Sequence, residues 1–181
     1  EIRLSLVGSE MCIRDRYEGC EIKLAGDGSS MSAEIGYVAA GKERLDMNYC
    51  VRHTGKKTEC VINAAGALRD TAFKLFRGTI DFVKGSAGSV GNEKEEVLLI
   101  DEKCVNQTIP IILCAEEDVV GNHGATIGKP DEELLFYLES RGIPAQECYN
   151  MLAAAKLLAV CGKIPDDGIR NEIHDYIKEV Y

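Results

Sequence analysis

The sequence predicts a mostly β fold that ends in a helical part. Three observations carry this. Apolar and polar residues alternate in short runs between residues 17 and 128, the period-2 signature of strands with one buried face. Glycine-centred turn clusters separate those runs. After residue 129 the alternation gives way to three apolar patterns of helical spacing, each opened by a proline.

The first sixteen residues, EIRLSLVGSEMCIRDR, stand apart. They resemble a translated adapter remnant and are set aside as non-native, the alternative being a short strand from Ile2 to Val7. On the first reading the natural N-terminal part is missing. Within 17–128, Cys20, Ile22 and Leu24 alternate with Glu21 and Lys23. Leu45, Met47, Tyr49, Val51 and His53 share one face of a second run, and Ile80 and Phe82 one face of a third. Val97 to Ile100 and Ile109 to Cys114 are further apolar runs. Gly26-Asp27-Gly28 and Gly85-Ser86-Ala87-Gly88 read as turns. Runs spaced by roughly 8–12 residues fit a sandwich, a barrel or a β-solenoid. No strict hexapeptide repeat selects among them.

Residues 129–181 read as three helices. The first follows Pro130, with Asp131, Glu132 and Glu133 in the first turn, where carboxylates suit the helix dipole. Its stripe is Leu134, Leu135 and Leu138, and Arg141-Gly142 closes it. The second opens at Pro144, carries Cys148, Met151, Leu152, Ala155 and Leu158 on one face, and stops at Gly162. The third follows Pro165-Asp166-Asp167, with Ile169, Ile173, Tyr176, Ile177 and Val180 as its stripe. These stripes need a surface to cover.

Composition removes several function classes. The 181 residues carry a formal charge of -9 and a pI near 4.9. Such a chain has no broad electrostatic footprint for nucleic acid or an anionic membrane. No run of apolar residues is long enough to span a bilayer, and no signal peptide is evident. Eight cysteines are scattered without a C-x-x-C, which predicts a reduced, cytoplasmic protein whose thiols act mostly as small core residues.

Several motifs invite chemistry. Gly36 to Glu43 nearly matches the P-loop pattern, but Glu43 replaces the hydroxyl residue that would hold Mg²⁺. A turn between two strands is the favoured reading. His174 reads as a surface residue. His53 reads as a buried, backbone-bonded imidazole, with a site role as the alternative. His123 lies between Gly121 and Gly124, in what reads as a loop joining the strands to the helices. Flanking glycines allow close backbone approach, and an imidazole so placed can ligate a soft or borderline metal. Glu95-Glu96 and Glu116-Glu117-Asp118 keep carbohydrate chemistry open, although charge runs at strand ends are usually solvated turns.

From 116 to 144 the chain resembles the C-terminal core of the SufB/SufD family, scaffold proteins of iron–sulfur cluster assembly. The residues that carry this are Asp118-Val119, His123-Gly124-Ala125-Thr126-Ile127-Gly128, Asp131-Glu132-Glu133 and Leu135-Phe136-Tyr137-Leu138-Glu139-Ser140-Arg141-Gly142-Ile143-Pro144. Upstream, Leu45-Asp46 through His53, Phe76-Arg77-Gly78 and Leu98-Leu99-Ile100 are also similar. The resemblance covers roughly residues 44–181 and more weakly 17–43. Gly124 after the histidine and Arg141 after Ser140 place it nearer the SufD branch.

The resemblance implies a right-handed parallel β-helix over 17–128, followed by a helical, partner-docking domain over 129–181. It implies a non-catalytic scaffold subunit that pairs with a SufB-like partner through the β-helix. Its helices would dock a SufC-like ATPase, whose ATP hydrolysis opens a site at the scaffold interface. A transient iron–sulfur cluster would form there, with His123 as a ligand facing a partner cysteine. Many family members carry a cysteine two residues before this histidine; here that position is Gly121. Cys114, or Cys104 before it, is the next thiol, each read mainly as a core residue. Phe136, Tyr137 and Arg141 are residue types that anchor partners, unless the aromatics pack on the end of the β-domain. Two other readings remain beside this one: a β-helix carbohydrate lyase or hydrolase, and a structural module in which His123 is buried.

Overall fold

The structure, a computed structural model, describes residues 5–6 and 15–180. Most of the segment set aside as non-native lies outside the described residues. Its visible parts are β1 (Ser5–Leu6), antiparallel to Glu21 and Cys20, and the start of β2.

Eight long strands follow: β2 (Asp15–Leu24), β3 (Ser30–Ala39), β4 (Arg44–His53), β5 (Glu59–Leu68), β6 (Phe73–Phe82), β7 (Ser89–Leu99), β8 (Val105–Cys114) and β9 (Val119–Gly128). Alternate strands pair in parallel. One sheet has the order β1-β2-β4-β6-β8 and the other β3-β5-β7-β9. The chain therefore winds through four coils, one strand per sheet in each, as a parallel β-helix. Strand-rich patterning thus resolves to the solenoid and not to a sandwich or barrel. Partners in successive coils lie 29 to 32 positions apart, as in Arg52–Asp81, Asn92–Asn122, Gly85–Glu116 and Phe76–Thr108.

Each long strand turns alternate side chains into the lumen. On β6, Phe76, Ile80 and Phe82 are fully buried, and on neighbouring strands so are Met47, Val51, Ile62 and Leu68. Stacked turns join the two sheets. The Gly41 N–H donates to Asp70 Oδ2 at 2.8 Å and the Asp70 N–H to Asp101 Oδ2 at 2.6 Å. The near P-loop is the end of β3 and this turn. Glu43 accepts from the Ala40 N–H and from Arg16, as a turn residue does.

Three helices follow: α1 (Glu132–Ser140), α2 (Ala145–Cys161) and α3 (Asp167–Val180). Asp131 caps α1, accepting from the Glu133 N–H at 2.9 Å. α2 lies on the outer face of the four-stranded sheet. Lys156 Nζ donates to Glu96 Oε2 at 2.9 Å, Lys163 Nζ to Glu34 Oε2 at 2.7 Å, and Val160 packs over Gly36. The apolar face read for α2 is only partly right. Cys148 is buried, but Met151 and Ala155 are exposed while Ala153 is buried. The helix is contacted by the sheet, by α1 and by α3, so no single stripe defines its inside. α1 buries no residue at all.

Candidate functional site

The fourth coil is the end of the described solenoid. Among the described residues β8 is the last strand of one sheet and β9 the last of the other, so both present an unpaired edge. Val105, Ile109 and Leu113 on β8 and Val120 and Ile127 on β9 are exposed.

His123 is not in a loop. It sits within β9, paired in register with Glu93 of β7. The sequence Gly-Asn-His-Gly looked like chain punctuation, but β7 supplies the ladder partners that hold it extended. Its direction follows from its neighbours. Val119 packs on the core, and a Cβ on Gly121 would lie 3.1 Å from Phe82 and 3.2 Å from Ile112. Residues 119, 121 and 123 therefore face the lumen. His123 is nonetheless exposed, because no fifth coil covers it among the described residues. The close approach expected of the flanking glycines holds at Gly121, while a Cβ on Gly124 would meet nothing within 4 Å.

Cys114 ends β8, exposed, its Sγ bonded to the Glu116 carbonyl at 3.0 Å. It lies in the other sheet, at the turn leading into β9, while His123 is midway along β9. Cys104 is half-buried beside the core, and burial raises its thiol pKa. Among the described residues no three His, Cys, Asp or Glu side chains converge to hold a metal ion.

Directly under the open coil runs a buried polar seam that sequence reading missed. Lys74 and Glu95 are fully buried and ion-paired. Tyr37 donates to Glu95 Oε1 at 2.8 Å and Thr108 to Glu95 Oε2 at 2.6 Å. Lys74 Nζ also reaches Thr108 Oγ1 at 3.2 Å. Burial drives the Lys74 pKa down despite its carboxylate partner. Burial, reinforced by Glu95, raises the Tyr37 pKa. Next along β7 is Glu93, 4% exposed. Its carboxyl occupies the space over Gly78, where any Cβ would overlap it, and its Oε2 has no hydrogen-bond partner among the described residues. Burial, then the charge on Glu95, raises its pKa to about 7. The available signal was charge at inward positions: Lys74 shares a face with Phe76, and Glu93 and Glu95 share one with Val97.

The other histidines are structural. His53 is fully buried against Phe82, at 4.6 Å between ring centroids. Its Nδ1 lies 2.7 Å from Thr58 Oγ1 and its Nε2 3.2 Å from Cys60 Sγ, so its partners are side chains and not backbone. Burial lowers its pKa to about 4 and raises that of Cys60 to about 12. His174 is 41% exposed beside Asp175. The acidic pairs are dispersed: Glu96 faces outward between Lys94 and Lys156, and Glu116 accepts from the Gly85 N–H in a turn.

On α1, Phe136 is 74% exposed and Tyr137 50%. Arg141 stacks on the Tyr137 ring at 4.4 Å. These aromatics are exposed and not packed on the end of the β-domain.

Among the described residues the architecture is a parallel β-helix with two open strand edges, a buried polar seam beneath them and three C-terminal helices. The chain belongs to the SufB/SufD family: residues 4–156 match the model described as "SUF system FeS cluster assembly, SufBD core domain". It is 29% identical over 155 residues to the iron-sulfur cluster assembly protein SufD of Bacillus subtilis, covering 86% of this chain and 36% of that protein. It is 27% identical over 147 residues to SufB of the same organism, covering 81% and 30%. A SufBD family protein of Mycobacterium leprae is 30% identical over 113 residues, covering 62% and 13%. The chain thus spans about a third or less of the length of these relatives. The family places it in the SUF system of iron–sulfur cluster assembly, and of the two Bacillus subtilis proteins SufD has the higher identity.

Proposed function

We propose that this chain is the core of a non-catalytic scaffold subunit, and that its fourth coil is where a SufB-like partner stacks and a cluster is assembled. The observation that carries this reading is the exposed, lumen-facing His123 between two unpaired strand edges. Parallel edges with exposed Ile109, Leu113, Val120 and Ile127 suit main-chain pairing with a second solenoid. His123 then meets groups of the partner, which supplies the thiolate that Gly121 lacks. Imidazole with thiolate is a competent ligand set for iron, the cargo of the reaction, and leaves positions for sulfide. Helices 129–181 form the docking domain for a SufC-like ATPase, with Phe136, Tyr137 and Arg141 as its anchors. The protein works in the cytoplasm.

The test uses the full-length protein co-expressed with SufB- and SufC-like partners. His123→Ala is expected to leave the complex intact and lower the anaerobic iron and sulfide yield. Unchanged yield removes His123 from the mechanism. Deleting 129–181 is expected to abolish co-purification of the ATPase, and retained binding contradicts the docking role.

A further inference from the structure

We propose that Glu93 is a second cation-binding group of the terminal coil, acting with His123 as a carboxylate–imidazole pair that takes a divalent first-row metal ion. The identity of that ion as ferrous iron rests on the assembly reading above; the existence of the site does not.

Glu93 and His123 hold paired positions on adjacent parallel strands, and both face the lumen. Such neighbours are about 4.8 Å apart across the sheet. Side chains from such neighbours can bring an imidazole nitrogen and a carboxylate oxygen within the roughly 4 Å that two metal bonds of about 2 Å span. The carboxylate is built in. Gly78 leaves the room for it, since any larger residue would overlap it. Its Oε2 is buried without a partner among the described residues, and a polar atom left so is costly unless something supplies the missing interaction. Lys74, the buried ammonium of the same lumen, is engaged by Glu95 and Thr108. Access comes from the open end, where His123 is exposed. A hard carboxylate with a borderline imidazole suits Mn²⁺, Fe²⁺, Co²⁺ or Zn²⁺ and not Cu(I). Two ligands from this chain leave positions for sulfide, water and groups of a stacked partner.

The experiment is an anaerobic titration of the full-length protein with Co²⁺, read by its visible ligand-field bands and by calorimetry. Glu93→Gln keeps the shape and removes the charge. Glu93→Asp keeps the charge and withdraws it by one methylene, and serves as the second variant should the first fail to fold. Each, like His123→Ala, is expected to weaken Co²⁺ at least tenfold. Glu96→Gln, outward on the same strand, is expected to bind as the parent does. Parental affinity in the Glu93 variants, or no Co²⁺ site in the parent, overturns the proposal. Two outcomes separate it from the assembly reading. If Glu93→Gln binds Co²⁺ normally while His123→Ala lowers cluster yield, the Glu93 site fails and the assembly reading stands. If Glu93→Gln loses Co²⁺ while His123→Ala leaves yield unchanged, the site stands and the assembly reading fails.

Discussion

β6 and β8 are neighbours in one sheet, with the same register and the same alternation, yet they live in different environments. Phe76, Ile80 and Phe82 on β6 are fully buried. Their partners on β8 are Thr108, Ile112 and Cys114, half-buried or exposed. The other sheet repeats the contrast: Glu93 on β7 is buried, and its partner His123 on β9 is open. In a solenoid, facing inward and being buried are separate properties. Facing is set by the strand's own period, and burial by whether a further coil lies above it.

The largest expected effect sets a lumen side chain of an inner coil against an outward side chain of the edge strand β8. Phe76→Ala empties a fully packed site in an inner coil and is expected to cost about 3–5 kcal/mol. Ile109→Ala removes a side chain that is 43% exposed and is expected to cost under about 1 kcal/mol in the isolated protein. Urea denaturation of both variants measures the difference. If the stacking proposal is right, Ile109→Ala weakens pairing with the scaffold partner while leaving the fold alone. Equal losses of stability would show that the outer face of β8 is packed as tightly as the lumen.

A smaller effect comes from an inner-coil imidazole. His53 is buried neutral, with its pKa lowered by burial from the ordinary 6.5 to about 4. Below about pH 6.5 the unfolded chain takes up a proton on this ring, whereas the folded chain does so only near pH 4. The stability that depends on a neutral His53 is therefore fully present above pH 6.5 and lost as pH falls toward 4. The loss amounts to about 2–3 kcal/mol over that window. Unfolding free energies at pH 7 and pH 4.5 are expected to show this difference in the parent and not in His53→Gln. An unchanged difference in the variant assigns the acid sensitivity to the carboxylates instead.

How much of this was legible follows the same division. β2, β4 and the end of β6 were read from their alternating apolar residues, and the ends of α1 from Pro130 and Arg141-Gly142, while Asp131, read as part of the first turn, is the N-cap. β3 and β5 were not, because closely stacked coils demand small residues that carry little apolar signal. A Cβ on Gly66 of β5 would overlap Tyr37. The coil repeat conserves direction and not identity, since Arg52 stands over Asp81 and Gly85 over Glu116. No motif search recovers such a repeat. Lys74 and Glu95 look like solvent-facing charges until both sheets are in place and each is found to be the other's partner. His123 was singled out from residue type and flanking glycines, but its strand and its Glu93 neighbour emerge only from pairing with β7.

The smallest expected effect on stability sharpens the contrast between the coils and α1. Phe136 is 74% exposed on a helix that buries none of its residues. Truncating it removes almost no packing, so Phe136→Ala is expected to change the unfolding free energy by less than about 0.5 kcal/mol. An aromatic that contributes little to its own fold, beside an arginine stacked on Tyr137, has the composition of an interface anchor. Anchors of that kind cost about 2 kcal/mol or more of binding when truncated. Phe136→Ala in the full-length protein is therefore expected to weaken ATPase docking by more than tenfold, with the melting temperature unmoved. Docking retained at parental affinity would assign the helical domain's contact surface to α2 or α3. A lowered melting temperature would place Phe136 in packing formed with chain segments outside the described residues.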